Sequence, residues 1–220
     1  MEILYKIFNG IIEMLFPDEC IGCRKLTVLL CEDCLAQVPL AQNTQTPFIH
    51  PVFDYNSHVV KEVVWRLKYK NVRRLAPVMG PVLYEKIMDI LSDDLSFSEN
   101  EQVLLVDIPL HKSRLHERGY NQSELLIQSI LDCDIQKVFA YTPNILIRTR
   151  ATKPQARSEK RITRLANLKN AFMCKKPELI KGRVVILIDD VTTTGATITE
   201  AYTTLSRAKP RKIFAVTLAH

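Results

Sequence analysis

A chain of 220 residues with 47% hydrophobic content and a formal net charge of +6 is long enough for one substantial core and a small appendage. It holds no uninterrupted run of about 20 apolar residues, so no membrane span or membrane insertion is expected. The opening MEILYKIFNGIIEMLF is not read as a signal peptide. Glu2 stands where a basic segment is required, Glu13 interrupts the apolar run, and no small-residue cleavage site follows. Ile3, Leu4, Ile7, Phe8, Ile11, Ile12 and Leu15 recur at helical spacing and predict an amphipathic helix docked on the body or on a partner. Its polar face lacks the basic cluster that membrane contact needs. A cytoplasmic protein is expected.

Six cysteines follow in an uneven distribution. Cys20-x2-Cys23 and Cys31-x2-Cys34 make two knuckles within fifteen residues, with Gly22 at the turn of the first. Four thiolates in this grouping suit tetrahedral Zn²⁺ in a structural site with no open catalytic position. Two disulfides are disfavoured in a cytoplasmic protein, and an iron–sulfur cluster draws on an overlapping Cys₄ set. Cys133 and Cys174 stand alone and read as packing residues. The expected organisation is an N-terminal helix and Cys₄ module over residues 1–36, a polar, proline-containing linker over 37–51, and an α/β domain over 52–220.

Within that domain a strand is expected at Val52–Tyr55, a helix at His58–Tyr69 from its apolar period, and a second helix at about Leu75–Leu91, entered near Pro77. Ser92–Gln102 reads as an acidic surface loop. Val103–Val106 is a short buried strand ending in Asp107-Ile108-Pro109-Leu110-His111, and Pro109 stops it where a sheet presents ligands. The basic segment Lys112–Gln122 is expected as a loop between strand and helix. Asn121 is placed as the N-cap of the next helix, with Glu124 at N3.

A strand is expected at Asn144–Thr149, and then the most basic stretch. Arg148, Arg150, Lys153, Arg157, Lys160, Arg161, Arg164 and Lys169 face one acid, Glu159, so this stretch carries +7 and the rest of the chain −1. Such a local excess points to an anionic ligand, either pyrophosphate or a nucleic-acid backbone.

Val184–Ile188 is an unbroken apolar run that suits a strand buried on both faces of a parallel sheet. Asp189 and Asp190 follow, then Thr192-Thr193-Thr194-Gly195-Ala196-Thr197 opening a helix to about Arg207. A hydroxylic Thr/Gly loop at a helix N-terminus offers N–H groups, hydroxyls and a positive dipole end to a phosphate. It is not the Walker loop, because no Gly-Lys-Ser/Thr is present. Strand, two acids and TTGAT closely resemble the phosphoribosyl pyrophosphate (PRPP) motif of type I phosphoribosyltransferases. There the acids read the ribose hydroxyls and the loop holds the 5′-phosphate.

The motifs taken together resemble the ComF competence-protein family. They are the paired knuckles, Pro109-Leu110-His111 with Arg114 and Arg118-Gly119-Tyr120-Asn121-Gln122, Arg148-Thr149-Arg150 with Thr152 and Gln155, and Asp189–Thr197. Thr192 stands where that family often has an aromatic residue. The resemblance implies a type I phosphoribosyltransferase-like parallel sheet with flanking helices plus a Cys₄ zinc module. It implies PRPP bound with Mg²⁺ by Asp189, Asp190 and Thr192–Thr197, with Pro109, Leu110, His111, Arg114 and Arg118 around the pyrophosphate. Asp189 and Asp190 are then the candidate catalytic pair. It also implies a role in DNA uptake during natural transformation, with single-stranded DNA, a helicase-like ComF protein and DNA-processing factors as partners. The other expectation is an active transferase on a nucleobase-like acceptor.

Overall fold

Five parallel strands in the order β1-β7-β6-β2-β3 carry the site. The structure is a computed structural model that describes residues 18–42, 44, 46–94, 101–150 and 170–220. The expected N-terminal helix and Lys153, Arg157, Lys160, Arg161, Arg164 and Lys169 lie outside the described residues.

In chain order the elements are α1 (Glu32–Ala36), β1 (Ile49–Phe53), α2 (His58–Tyr69), α3 (Leu75–Ser92), β2 (Val103–Asp107), α4 (Lys112–Arg118), α5 (Gln122–Cys133) and β3 (Phe139–Tyr141). They continue with β4 (Leu146–Arg148), β5 (Phe172–Cys174), a short 3₁₀ turn (Pro177–Leu179), β6 (Val184–Val191), α6 (Ala196–Ser206) and β7 (Lys212–Ala219). No helix among the described residues is long and apolar enough to cross a membrane.

The apolar runs of the central strands are continuous because both faces of the sheet are covered. On β6, Val184, Ile186 and Ile188 enter one core with apolar residues of α2, α3 and α5. Val185 and Leu187 enter a second core, with Ile198, Ala201 and Leu205 of α6 and with Leu146 and Phe172. The parallel sheet, its flanking helices and the N-terminal Cys₄ cluster meet the fold expectation.

Four differences from the expected elements have physical causes. Strand β1 begins at Ile49, with Pro51 inside it, which an edge strand tolerates because one side of its backbone needs no ladder donor. The Lys112–Arg118 segment is a short helix. It is started by His111, whose Nδ1 accepts from the Ser113 N–H, and ended by Gly119 in the left-handed conformation. The strand expected at 144–149 is the three-residue β4, which pairs antiparallel with β5 outside the main sheet. Finally, β6 runs through both acids to Val191, because its pairing with β7 continues to Asp189↔Thr217 and Val191↔Ala219.

Helices α3 and α5 approach closely at Gly80. A Cβ there would meet the Ser129 Cβ at 2.6 Å and its carbonyl oxygen at 2.7 Å. Gly80→Ala gains roughly 1 kcal/mol of helix propensity but forces the helices apart, at a cost of about 1–3 kcal/mol. We expect a net loss, read as a lower urea midpoint at unchanged slope; a raised midpoint contradicts the close packing.

Candidate active site

The carboxyl ends of β2 and β6 lie side by side, with Asp107 in register with Ile188 and the Ile108 N–H donating to the Ile188 carbonyl at 3.0 Å. Different elements hold the two acids of β6. Asp190 is buried and paired with Lys68 Nζ of α2 at 2.9 Å. Asp189 Oδ1 accepts from the Ser123 hydroxyl at the start of α5, at 3.1 Å, and from the Asp190 N–H at 2.9 Å. Burial, and then the neighbouring Asp190 charge, push Asp189 upward to about 7. Burial pulls Lys68 down, but the Asp190 carboxylate outweighs it and holds the ammonium above its ordinary value.

A cavity of about 190 Å³ opens between these elements, lined by Lys68, Tyr69, Ile108, Pro109, Leu110, Arg114, Arg118, Gln122, Ser123, Arg148, Asp189, Asp190, Val191 and Thr197. The lining holds two acids and four cations, one of which, Lys68, is paired with Asp190. Arg118 donates to Gln122 Oε1 at 2.9 Å, and its guanidinium lies 5.1 Å from the Tyr69 ring centre. Arg148 lies 5.6 Å from the Phe172 ring centre. Burial, then repulsion by Arg114, lower Arg148 from its ordinary value. A ligand with hydroxyls to present to carboxylates and phosphates to present to cations matches this division.

Beneath the Pro109 loop, Asn121 has two tasks. Its Oδ1 accepts from the Ser123 N–H as the expected cap, while its Nδ2 donates to Asp107 Oδ2 at 2.8 Å and to the Ile108 carbonyl at 3.2 Å. Tyr141 OH donates to the other Asp107 oxygen at 3.1 Å. Burial raises Asp107, opposed by those hydrogen bonds. The loop that carries Pro109 and Leu110 therefore rests on a hydrogen-bonded floor.

In the β6–α6 corner, Gly195 sits at φ +72 as the residue before α6, and a Cβ there would meet Ile49 Cδ1 at 3.1 Å. Both the left-handed backbone and the tight approach to β1 favour glycine. Thr192 is buried, and its N–H donates to the Ala219 carbonyl at 3.0 Å, tying the start of the loop to the end of β7.

The four knuckle thiols form the second cluster. All four Sγ atoms lie within 4.8 Å of one another, with Cys20–Cys31 at 3.6 Å and Cys23–Cys31 at 3.7 Å. These separations are far from a disulfide bond. They match the roughly 3.8 Å edge of a tetrahedron with metal–sulfur bonds of about 2.3 Å. Gly22 leaves the space this needs, since a Cβ there would stand 2.6 Å from Cys34 Sγ.

No protein-family model matches the chain. It is 31% identical over 175 residues to the DNA utilization protein YhgH of Escherichia coli K12, covering 78% of this chain and 69% of that protein. It is 32% identical over 141 residues to competence protein F of Haemophilus influenzae, covering 63% and 58% of the two chains. The match to competence protein ComFC of Bacillus subtilis is 30% over 147 residues, covering 67% and 53%. The chain belongs to the ComF family. Among solved structures, a Trypanosoma cruzi hypoxanthine phosphoribosyltransferase aligns at TM-score 0.40 and 13% identity, over 72% of this chain and 64% of that one. A Leishmania tarentolae HGPRT-ase complexed with GMP aligns at TM-score 0.37 and 12% identity, over 66% of each chain.

Of the residues this ComF-family sequence singles out, Asp189, Asp190, Thr197, Pro109, Leu110, Arg114, Arg118 and Arg148 share the cleft. Thr193, Thr194, Gly195 and Ala196 form the corner leading into α6. His111 and Thr192 do not line it; the first caps α4 and the second anchors the loop. Arg150 follows β4 and is also not part of the lining. Lys68, Tyr69, Ser123 and Tyr141 are not singled out by the sequence, and Gln122 enters only as the end of the Arg118–Gln122 motif. Lys68 and Tyr69 close a helix whose apolar period is carried by Val60, Val63, Val64 and Leu67, so only the docking of α2 beside β6 reveals them.

Proposed function

We propose that this protein binds Mg²⁺–PRPP in the β6–α6 cleft and handles incoming single-stranded DNA during DNA uptake in the cytoplasm. The observation that carries the reading is the pairing of Asp189 and Asp190 with a Thr/Gly corner at the N-terminus of α6, opposite Arg114, Arg118 and Arg148. The corner's N–H groups and hydroxyls suit the 5′-phosphate, the carboxylates suit the ribose diol, and the arginines suit the pyrophosphate. Mg²⁺ bound with PRPP lowers the charge of the pyrophosphate. Lys68 holds Asp190 through Oδ1, and the second carboxylate oxygen is an acceptor for a ribose hydroxyl. The names of the relatives, DNA utilization and competence proteins, supply the DNA side of the reading. Competence factors, including a helicase-like ComF protein and DNA-processing factors, are the partners it implies. The Cys₄ cluster is assigned a structural Zn²⁺ held by Cys20, Cys23, Cys31 and Cys34, on the strength of its sulfur separations.

The complete set of acids and cations also supports a second reading, transfer of the phosphoribosyl group to a nucleobase-like acceptor. The two share a binding step and separate at turnover. Calorimetric titration of Mg²⁺–PRPP into zinc-loaded protein, with and without single-stranded DNA, tests the first. We expect saturable binding to one site, altered by DNA; no heat under either condition removes both readings. Pyrophosphate release on adding bases would establish the transferase.

A further inference from the structure

We propose that the exposed face of α2 beside the cleft mouth is a base-stacking platform for single-stranded nucleic acid, with Trp65 and Tyr69 as its rings and Lys70 and Arg118 as its phosphate contacts. The proposal rests on the DNA-handling reading above and gives it a location. Val60, Val63, Val64 and Leu67 already bury the inward stripe of α2. Trp65 and Tyr69 stand outside that stripe, 43% and 63% exposed, so core packing does not account for them. Four residues apart, they share one helix face at about 6 Å along the axis.

Each ring has its own cation. Lys70 Nζ lies 4.9 Å from the Trp65 ring centre, and the Arg118 guanidinium lies 5.1 Å from that of Tyr69. Each cation covers one face of its ring, which leaves the other face to a base and the cation's charge to a phosphate, the combination by which proteins hold single strands regardless of sequence. A duplex keeps its base faces stacked internally and cannot use the rings, so the occupant is single-stranded. The platform is continuous with the cleft, because Tyr69 and Arg118 also line it. A strand lying along α2 therefore ends at, or passes over, Asp189 and Asp190. The basic stretch around Arg148–Lys169 holds no aromatic residue, so it offers charge without stacking.

Trp65 is the chain's sole tryptophan, so its emission reports this surface alone. Oligothymidylate titrated into the full chain should quench that emission in step with the anisotropy rise of a labelled copy. Trp65→Ala and Tyr69→Ala should each weaken binding about tenfold or more, and Trp65→Phe should retain most of it. Lys70→Ala should lower the salt slope by about one. Trp65 is not part of the cleft lining, so Trp65→Ala should leave Mg²⁺–PRPP affinity unchanged. Anisotropy that rises without quenching, or wild-type affinity in both alanine variants, overturns the platform while leaving DNA binding intact. No binding by either readout removes the DNA-handling reading itself.

Discussion

Asp189→Asn/Asp190→Asn loses Mg²⁺–PRPP affinity by roughly two to four orders of magnitude while the protein stays folded. Each carboxylate is expected to accept charge-assisted hydrogen bonds from the ribose, worth about 1.5–3 kcal/mol apiece. The asparagine at 189 keeps the shape and the Oδ1 acceptor that Ser123 and the Asp190 N–H now use. The one at 190 keeps an acceptor for Lys68 but removes its counter-charge, which lowers stability. The single variant Asp189→Asn has a further signature. Burial and Asp190 raise its carboxyl to about 7 in the folded chain, above the ordinary 3.8. A group raised in this way favours the fold fully below pH 3.8, and the favour is lost as pH rises through 7. The ligand-free protein should therefore be less stable at pH 8 than at pH 6 on this account. Asp189→Asn should recover about 1–3 kcal/mol at pH 8, seen as a raised melting temperature. Mg²⁺–PRPP affinity of the wild type should rise over the same window as Asp189 ionises. A variant that binds PRPP normally, or that melts lower at pH 8, contradicts the role given to the acid.

Removing the metal proposed for the Cys₄ module has the next largest effect, because the module is part of the main core. Ile21, Leu29, Leu30 and Val38 pack in one cluster with Val60, Val63 and Val64 of α2. Asp18 accepts two hydrogen bonds from Arg74, at 2.7 and 3.1 Å. Structural zinc contributes an apparent 10–16 kcal/mol at about pH 7 to small domains that fold around it. Chelation, or Cys31→Ser, should therefore melt the module, expose the α2 face it covers and lower global stability by at least about 3 kcal/mol. Metal analysis should find one zinc per chain, and proteolysis should nick the stripped protein near residues 18–40. A chelated protein with unchanged melting and protease resistance would contradict a structural metal.

Much of this was readable from residue pattern where burial is periodic. The boundaries of α2 and α3, and the strands β2 and β6, follow from apolar spacing, and the β6–α6 corner follows from acids and glycine in a fixed order. What escaped depends on tertiary placement. Nothing in Leu146–Arg148 tells a three-residue strand to leave the main sheet for an antiparallel pair with β5. Lys112–Arg118 is too polar to show a helical period, and its helix is fixed at its ends by His111 and Gly119. Lys68 is one lysine among several until α2 docks on β6, and Tyr141 acquires its role only because β3 lies beside β2 and Asp107. Conversely, β7 has an apolar run, Ile213–Ala219, as legible as that of β6, although the sequence reading stopped at the helix before it.

The most direct test of the account is a crystal structure of the zinc-loaded protein grown with Mg²⁺ and PRPP. The expected map places the 5′-phosphate on the N–H groups of the Thr193–Thr197 corner, the ribose hydroxyls on Asp189 and Asp190, and the pyrophosphate toward Arg114 and Arg118. A ligand bound elsewhere, or ribose hydroxyls that contact neither acid, would contradict it.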